Sequence, residues 1–445
     1  MLLAAVMLAL PADVSSVRAG DVTGDGQDDL VFVSQHAQGG GRPDRVTLTV
    51  VSVGADGQAS HREEIVLGDE ALLWDIHNGL WGIDAAGAVD LRSGERVVSA
   101  QTMLGLLGPT TPRAADIADD LDNNGVVELL LPTRGQLSVF TVDGEAVGGV
   151  PAQATGELST RAQSGGTVIV AASTLPATVI GDLDGDGLRD LLFPAGRRAV
   201  GWRTTDQAGG EKRPMRLPVD LDPDEGPDKP DVQLAQAWFV DLDGDGRLDL
   251  ATHHRVSSGS WFGSTARLTA YAGTGTGFGP PQVMDTDRAA FNVQLADFDG
   301  DGDQDLLVTE VDVGLANIGR ALLARSMQVE LGLYQMEGGR YPDRPQHARS
   351  LSWPIERPET MLVSMDGDMD GDGWLDLVTN DAGDTLRVYP GSESGFAASA
   401  AASVSIGPVE RGTALLVRDL TGDGRAEILL WRPDAEQARI LQMNP

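Results

Sequence analysis

The sequence predicts an all-β repeat protein, and three observations carry that expectation. A nine-residue acidic loop recurs seven times along the 445 residues. Short apolar runs stand on both sides of it. No copy has the acidic residue at loop position 12 that a helix-flanked EF-hand loop requires.

The clearest copy is Asp182-Leu183-Asp184-Gly185-Asp186-Gly187-Leu188-Arg189-Asp190, with carboxylates at positions 1, 3, 5 and 9. Alternate side chains of a tight loop converge on one point. Carboxylates held so close repel one another, and a hard divalent cation removes the repulsion. Ligands that are all oxygen, on a flexible loop, suit calcium better than magnesium. Glycine at position 6 permits φ > 0 and lets the carbonyl of residue 7 turn inward. The candidate ligands are therefore the side chains at 1, 3, 5 and 9 and the backbone of residue 7.

In the first loop these are Asp21, Thr23, Asp25, Gln27 and Asp29; in the second, Asp120, Asp122, Asn124, Val126 and Glu128. The third offers Asp182, Asp184, Asp186, Leu188 and Asp190; the fourth, Asp241, Asp243, Asp245, Arg247 and Asp249. The fifth has Asp297, Asp299, Asp301, Asp303 and Asp305; the sixth, Asp368, Asp370, Asp372, Trp374 and Asp376. The last has Asp419, Thr421, Asp423, Arg425 and Glu427. Up to seven calcium ions are expected. The loops with Thr23 and Thr421 should bind more weakly, as should the second loop, where Asn123 replaces the first glycine.

Position 12 is Phe32, Leu131, Phe193, Thr252, Val308, Thr379 and Leu430 in turn. The residues after position 9 read Leu30-Val31-Phe32-Val33, Leu191-Leu192-Phe193 and Ile428-Leu429-Leu430-Trp431. Short apolar runs bounded by turns are strands. Ala237-Trp238-Phe239-Val240 and Leu415-Leu416-Val417 precede their loops in the same way. The unit is strand, acidic loop, strand. This pattern resembles the FG-GAP/VCBS repeat, the blade unit of integrin-α-like β-propellers, with an echo of the Phe-Gly signature at Gly277-Phe278-Gly279-Pro280-Pro281. The resemblance implies a propeller of four-stranded blades over residues 1–445 as one domain, with calcium loops in the hairpins between first and second strands.

The blades can then be read in order. Repeat starts lie 99, 62, 59, 56, 71 and 51 residues apart. The interval from Asp241 shows one blade plainly. Leu250 to His253 is its second strand, Arg267 to Tyr271 its third and Gln282 to Met284 its fourth, and Asn292 to Ala296 opens the next blade. The 99-residue interval is too long for one blade. After strands at Val46–Val53 and Glu63–Leu67 it still holds Leu72–Asp75, Leu80–Ile83, Ala88–Leu91 and Arg96–Val98, between turn signals. This reads as a blade that has lost its loop, so the ring has seven or eight blades, with eight preferred. Long loops are expected at Arg42–Arg45, Asp220–Asp231 and Asp312–Ala324. The last blade has only three strands after Leu415. Met1 to Ala12 is apolar, and two readings stand: a cleaved secretion signal without the usual charged start, or the strand that closes the ring.

Composition narrows the function. The net charge of −34 argues against nucleic acid and anionic membrane surfaces. Twenty-five of the 67 Asp and Glu residues stand at loop positions 1, 3, 5 and 9, and there is no cysteine. No segment has the roughly 18–20 apolar residues of a membrane-spanning helix. Calcium loops in this number fill readily where calcium is abundant, which places the protein outside the cytoplasm. None of the six histidines forms a metal-binding or catalytic spacing. The pair His253-His254 should face opposite sides of a strand, leaving one on the surface. No Gly-x-Ser-x-Gly elbow or phosphate-binding loop is present. Trp261, within Ser258 to Ser264, is either an exposed anchor for a sugar or protein or a packing residue; Trp238 and Trp431 lie in strands and should pack between blades.

The resemblance therefore implies a secreted or surface-bound module for adhesion or surface assembly, which binds a protein or glycan. The alternative is a calcium-dependent polysaccharide lyase or hydrolase on the same scaffold.

Overall fold

The computed structural model describes the chain except residues 1–2, 38–44, 69–71, 107–110, 152–154, 164–165, 175–177, 196–197, 206–211, 217–230, 258–264, 287, 312–324, 355–359, 381–382, 434 and 444–445. The three expected long loops, apart from the strand residues at their ends, and Trp261 lie outside the described residues.

The chain folds as an eight-bladed β-propeller. Blade 1 comprises Val14–Gly20, Asp29–His36, Arg45–Val53 and Ala59–Leu67. Blade 2 comprises Leu73–Ile76, Leu80–Asp84, Gly87–Asp90 and Arg96–Ser99, with Arg113–Ala114 added in parallel beside the first. Blade 3 is Ala118–Asp119, Glu128–Thr133, Gln136–Thr141 and Ala146–Val150, and a separate hairpin, Thr155–Gln163 and Gly166–Thr174, follows it. Blade 4 is Val179–Gly181, Asp190–Ala195, Arg198–Trp202 and Lys212–Arg216; blade 5 is Asp231–Val240, Asp249–Ser257, Thr265–Tyr271 and Gln282–Asp285. Blade 6 is Ala289–Ala296, Asp305–Val311, Ser326–Tyr334 and His347–Pro354; blade 7 is Val363–Gly367, Asp376–Thr379, Thr385–Tyr389 and Ala402–Ser405. Blade 8 takes Ala414–Arg418, Glu427–Trp431 and Gln437–Met443 from the end of the chain and Leu3–Ala9 from its start. A short 3-10 turn spans Met103–Leu106.

The 99-residue interval thus holds two blades, the second without an acidic loop. The ring is closed by antiparallel pairing of Leu3–Ala9 with Gln437–Met443, in a register that sets Val6 opposite Ile440 and Met7 opposite Arg439. This gives blade 8 its fourth strand and covers an edge that would otherwise leave backbone groups unpaired.

The core sits between blades rather than within them. Blade 7 and blade 8 share Met369, Val378, Leu386, Val388, Ile428, Leu430 and Leu441. Blades 8 and 1 share Leu8, Leu30, Phe32, Leu420, Leu429 and Ile440, and Trp431 packs against this cluster. Blades 5 and 6 share Leu268, Met284, Val293, Leu306 and Val308, with Trp238 against them. Both tryptophans pack at blade contacts, as their strand positions required. Each blade is covered on both faces by its neighbours, which is why the second strands read as unbroken apolar runs instead of alternating. Fully burying one Leu or Val side chain is worth roughly 1.5–3 kcal/mol.

The same double covering corrects one expectation. His253 and His254 point to opposite faces of the second strand of blade 5, yet both are buried, at 2% and 7% exposure. Neither face of an inner strand is a free surface here. Burial holds His253 down at about 4, with Arg255 and His254 adding repulsion.

Candidate metal-binding loops

Every acidic loop joins the first and second strands of its blade; in all seven the N–H of position 6 donates to the carboxylate of position 1, and in five the N–H of position 4 does so too. The carboxylate at position 1 gathers the turn. Asp21 Oδ1 and Oδ2 accept the N–H groups of Gly24 and Gly26 at 2.6 and 2.8 Å. Asp368 accepts those of Gly371 and Gly373 at 2.6 and 2.7 Å, and Asp419 those of Gly422 and Gly424 at 2.7 and 2.9 Å. Both donors sit on residues with φ > 0: Gly185 and Gly187, for example, at 78° and 86°. The first of these positions is Asn123 in the second loop, and its φ of 54° keeps the same turn. Asparagine is among the few residues that enter this region easily. The turn is therefore kept, with Asn124 N–H in place of residue 123 donating to Asp120 Oδ1 at 3.0 Å and Gly125 N–H to Oδ2 at 2.8 Å.

The side-chain oxygen at position 5 caps the way out of the turn. Asp25, Asn124, Asp186, Asp245, Asp301, Asp372 and Asp423 each accept the N–H of residue 7, over 2.7–3.0 Å. The donors are Gln27, Val126, Leu188, Arg247, Asp303, Trp374 and Arg425, so residue 7 enters the frame through its backbone.

The carboxylate at position 9 is buried and does something the motif does not announce. One oxygen accepts the N–H of loop residue 2: Val22 to Asp29, Leu121 to Glu128, Leu183 to Asp190, Leu242 to Asp249, Phe298 to Asp305, Met369 to Asp376 and Leu420 to Glu427, at 2.7–3.0 Å. In four blades the other oxygen accepts an N–H beyond the third strand: Thr204 to Asp190, Gly273 to Asp249, Met336 to Asp305 and Gly391 to Asp376. Position 9 thus ties the loop to its blade. Burial pushes Glu128, Asp190, Asp305 and Asp376 up to about 7 and Asp249 up to about 6, and the neighbouring loop carboxylates raise them further against the backbone donors.

Carboxylates converge in five loops, with ligand oxygens within 4.8 Å of one another: Asp120, Asp122 and Glu128; Asp182, Asp184 and Asp190; Asp241, Asp243 and Asp249; Asp297, Asp299 and Asp301; and Asp368, Asp370 and Asp376. The loops at Asp21 and Asp419 carry Thr23 and Thr421 instead of a third nearby acid. Thr421 donates to Glu427 at 3.2 Å, while the Thr23 hydroxyl is buried without a partner. Asp184, Asp241 and Asp370 also each hold a buried oxygen, Oδ1, with no partner. Buried acceptors normally find donors. An oxygen-only cradle with orphaned acceptors and mutually repelling acids fits a metal ion.

The loops also touch one another around the ring. The N–H of residue 8 in one loop donates to a carbonyl in the loop of the preceding blade: Arg189 to Leu121 at 2.7 Å, Leu248 to Asp182 at 2.5 Å, Gln304 to Leu242 at 2.7 Å, Leu375 to Phe298 at 2.8 Å and Ala426 to Asp368 at 2.6 Å. The loops of blades 3 to 8 are therefore strung along one rim. No spacing in the sequence signals these links, nor the side chains that reach the loops from beyond the third strand, Arg203 to Asp184 and Gln335 to Asp299.

A family model of FG-GAP-like repeats matches residues 241–308 and 368–430, which contain the loops of blades 5, 6, 7 and 8. No curated protein matches the chain. Among solved structures, an Agrocybe aegerita lectin described as recognising non-reducing terminal N-acetylglucosamine is similar at 14% identity and a TM-score of 0.39, over 99% of this chain and 85% of that one. A BBS1N chain in complex with ARL6DN reaches 11% identity and 0.40, over 99% and 97%. The dihydro-heme d1 dehydrogenase NirN reaches 10% and 0.39, over 99% and 78%. Likeness at this level carries nothing about function. The phenylalanine of the Phe-Gly echo, Phe278, packs on Phe239 with ring centroids 6.2 Å apart, and Gly279 donates to the Ala272 carbonyl at 2.8 Å. With acidic loops on seven blades and two matched repeat regions, the chain is an eight-bladed β-propeller built on FG-GAP-like repeats.

Proposed function

We propose that this propeller is a calcium-loaded binding module that works outside the cytoplasm and recognises a protein or a glycan. The observation that carries the reading is the pair of buried loop oxygens left without donors, at Asp241 and Asp370, among further carboxylates of their own loops. Hard oxygen ligands on a nine-residue loop favour calcium. Side chains at positions 1, 3, 5 and 9 and the backbone of residue 7 would hold the ion, which would neutralise the loop and lock the rim. The blades then act as a rigid frame, and ligand recognition falls to the connecting loops. The acidic surface supports a ligand other than nucleic acid. No helix among the described residues is long and apolar enough to cross a membrane.

The test is in two parts. Calorimetric titration of the metal-free protein with Ca²⁺ and Mg²⁺ should show several sites that prefer Ca²⁺; absence of Ca²⁺ binding ends the calcium reading. A glycan array in Ca²⁺ and in EDTA, with analysis of released products, should show calcium-dependent retention of intact ligand. Cleaved products would make the protein a lyase or hydrolase instead.

A further inference from the structure

The seven loops differ in what stands beside position 3. In blade 4 the residue after the third strand is Arg203, and its Nη1 lies 2.5 Å from Asp184 Oδ2, while Nη2 donates to the Gly275 carbonyl of blade 5. In blade 6 the equivalent residue is Gln335, whose Nε2 donates to Asp299 Oδ2 at 3.1 Å. In blades 5 and 7 the equivalents are Ala272 and Pro390, which have no side-chain donor. The backbone N–H of the next residue, Thr204, Met336, Gly273 or Gly391, meets position 9 in all four blades, which fixes the equivalence.

These neighbours are chemically distinct. A guanidinium carries a permanent charge and donors only, so it cannot turn an acceptor toward a metal ion. A glutamine amide can rotate and offer its oxygen instead. A divalent cation bound to Asp184 would sit against a fixed positive charge, which already neutralises the Asp184 carboxylate and would repel the ion. Arg203 is itself largely buried, at 22% side-chain exposure, and is held from its far side by Gly275.

We propose that the Arg203 guanidinium takes the place of the metal ion in the Asp182 loop, so that blade 4 carries an acidic loop that needs no calcium. The inference rests on the calcium reading of the other loops, and its test separates the two. Bound calcium per chain is measured by equilibrium dialysis with elemental analysis on the full chain and on Arg203→Ala, Asp184→Asn and Asp370→Asn. The expected result is one more ion per chain in Arg203→Ala than in the parent, no change in Asp184→Asn, and one fewer in Asp370→Asn. An unchanged count in Arg203→Ala, or the loss of an ion in Asp184→Asn, overturns the proposal. Should Arg203→Ala fail to fold, the Asp184→Asn count decides by itself. If the parent binds no calcium but Arg203→Ala binds one ion, the calcium reading of the other loops fails and the role of Arg203 stands.

Discussion

Blade 2 and blade 7 are both four-stranded sheets packed between neighbours, but they turn from first strand to second in different ways. Blade 7 uses Asp368 to Asp376, with four acids in nine residues. Blade 2 uses a short turn through Asn78 and Gly79, closed by Trp81 Nε1 donating to the His77 carbonyl at 2.9 Å. What blade 2 keeps is instructive. Gly79 N–H donates to the carbonyl of Asp21 in blade 1 at 3.1 Å, as Leu375 N–H of blade 7 donates to Phe298 of blade 6. A buried carboxylate also survives there: Asp75 accepts the N–H groups of Ile117 and Ala118 at 2.8 and 3.1 Å. Blade 2 thus keeps a link to the preceding blade and a buried carboxylate tie without any acidic loop. The carboxylates at positions 1, 3 and 5 are surplus to making a blade, and the proposed cation would give them a role.

The largest expected effect removes that cation everywhere. EDTA should lower the melting temperature markedly, because each independent site filled at a hundredfold excess over its Kd stabilises the native state by about 2.7 kcal/mol. Calorimetry before and after verified metal removal checks this, and coincident melting curves would reduce all seven loops to the status of the blade 2 turn.

Ring closure comes next. Deleting Met1 to Ala12 removes the strand paired with Gln437–Met443 and the buried Leu8. A loss of several kcal/mol is expected from lost burial and an opened edge, of order 2 kcal/mol for the Leu8 side chain alone. Urea unfolding of the two chains measures it. Equal stability would favour the segment as a secretion signal.

A single-residue pair sharpens the contrast within blade 7. Asp376→Ala strips acceptors from the N–H groups of Met369 and Gly391 and should cost about 2–6 kcal/mol even without calcium, at roughly 1–3 kcal/mol for each buried group left unpaired. Asp370→Ala should cost stability only in calcium. Thermal melts of both variants in each condition would break the distinction if the two behaved alike.

The smallest effect concerns Asp75 in blade 2. Burial raises its carboxyl to about 6 from an ordinary 3.8. The folded state therefore favours the proton. The stabilisation is complete below pH 3.8 and is lost as pH rises through about 6. Relative to Asp75→Asn, the parent chain should lose stability across that window, which denaturation at stepped pH would show as a sloping difference. A flat difference would mean that Asp75 ionises in the fold as it does unfolded.

Much of this was written in the one-dimensional pattern. The loop motif is local: nine residues make their own hydrogen bonds from position 1 to the turn and from position 5 to residue 7. Spacing and glycine placement alone therefore located all seven. Blade 2 was legible through its apolar runs and turns, because strand alternation and turn chemistry need no metal. Leu3–Ala9 was legible as a closing strand because blade 8 came up one strand short. Other features depend on partners far away in sequence, and no spacing encodes them. The burial of both His253 and His254 follows from neighbouring blades covering each face. The doubled role of position 9 requires an N–H from beyond the third strand. The chain of hydrogen bonds from loop to loop, and the guanidinium of Arg203 beside Asp184, exist only once the blades stand side by side. Local carboxylate geometry was determined by the sequence itself, while the charge and donors that meet those carboxylates were decided by the ring.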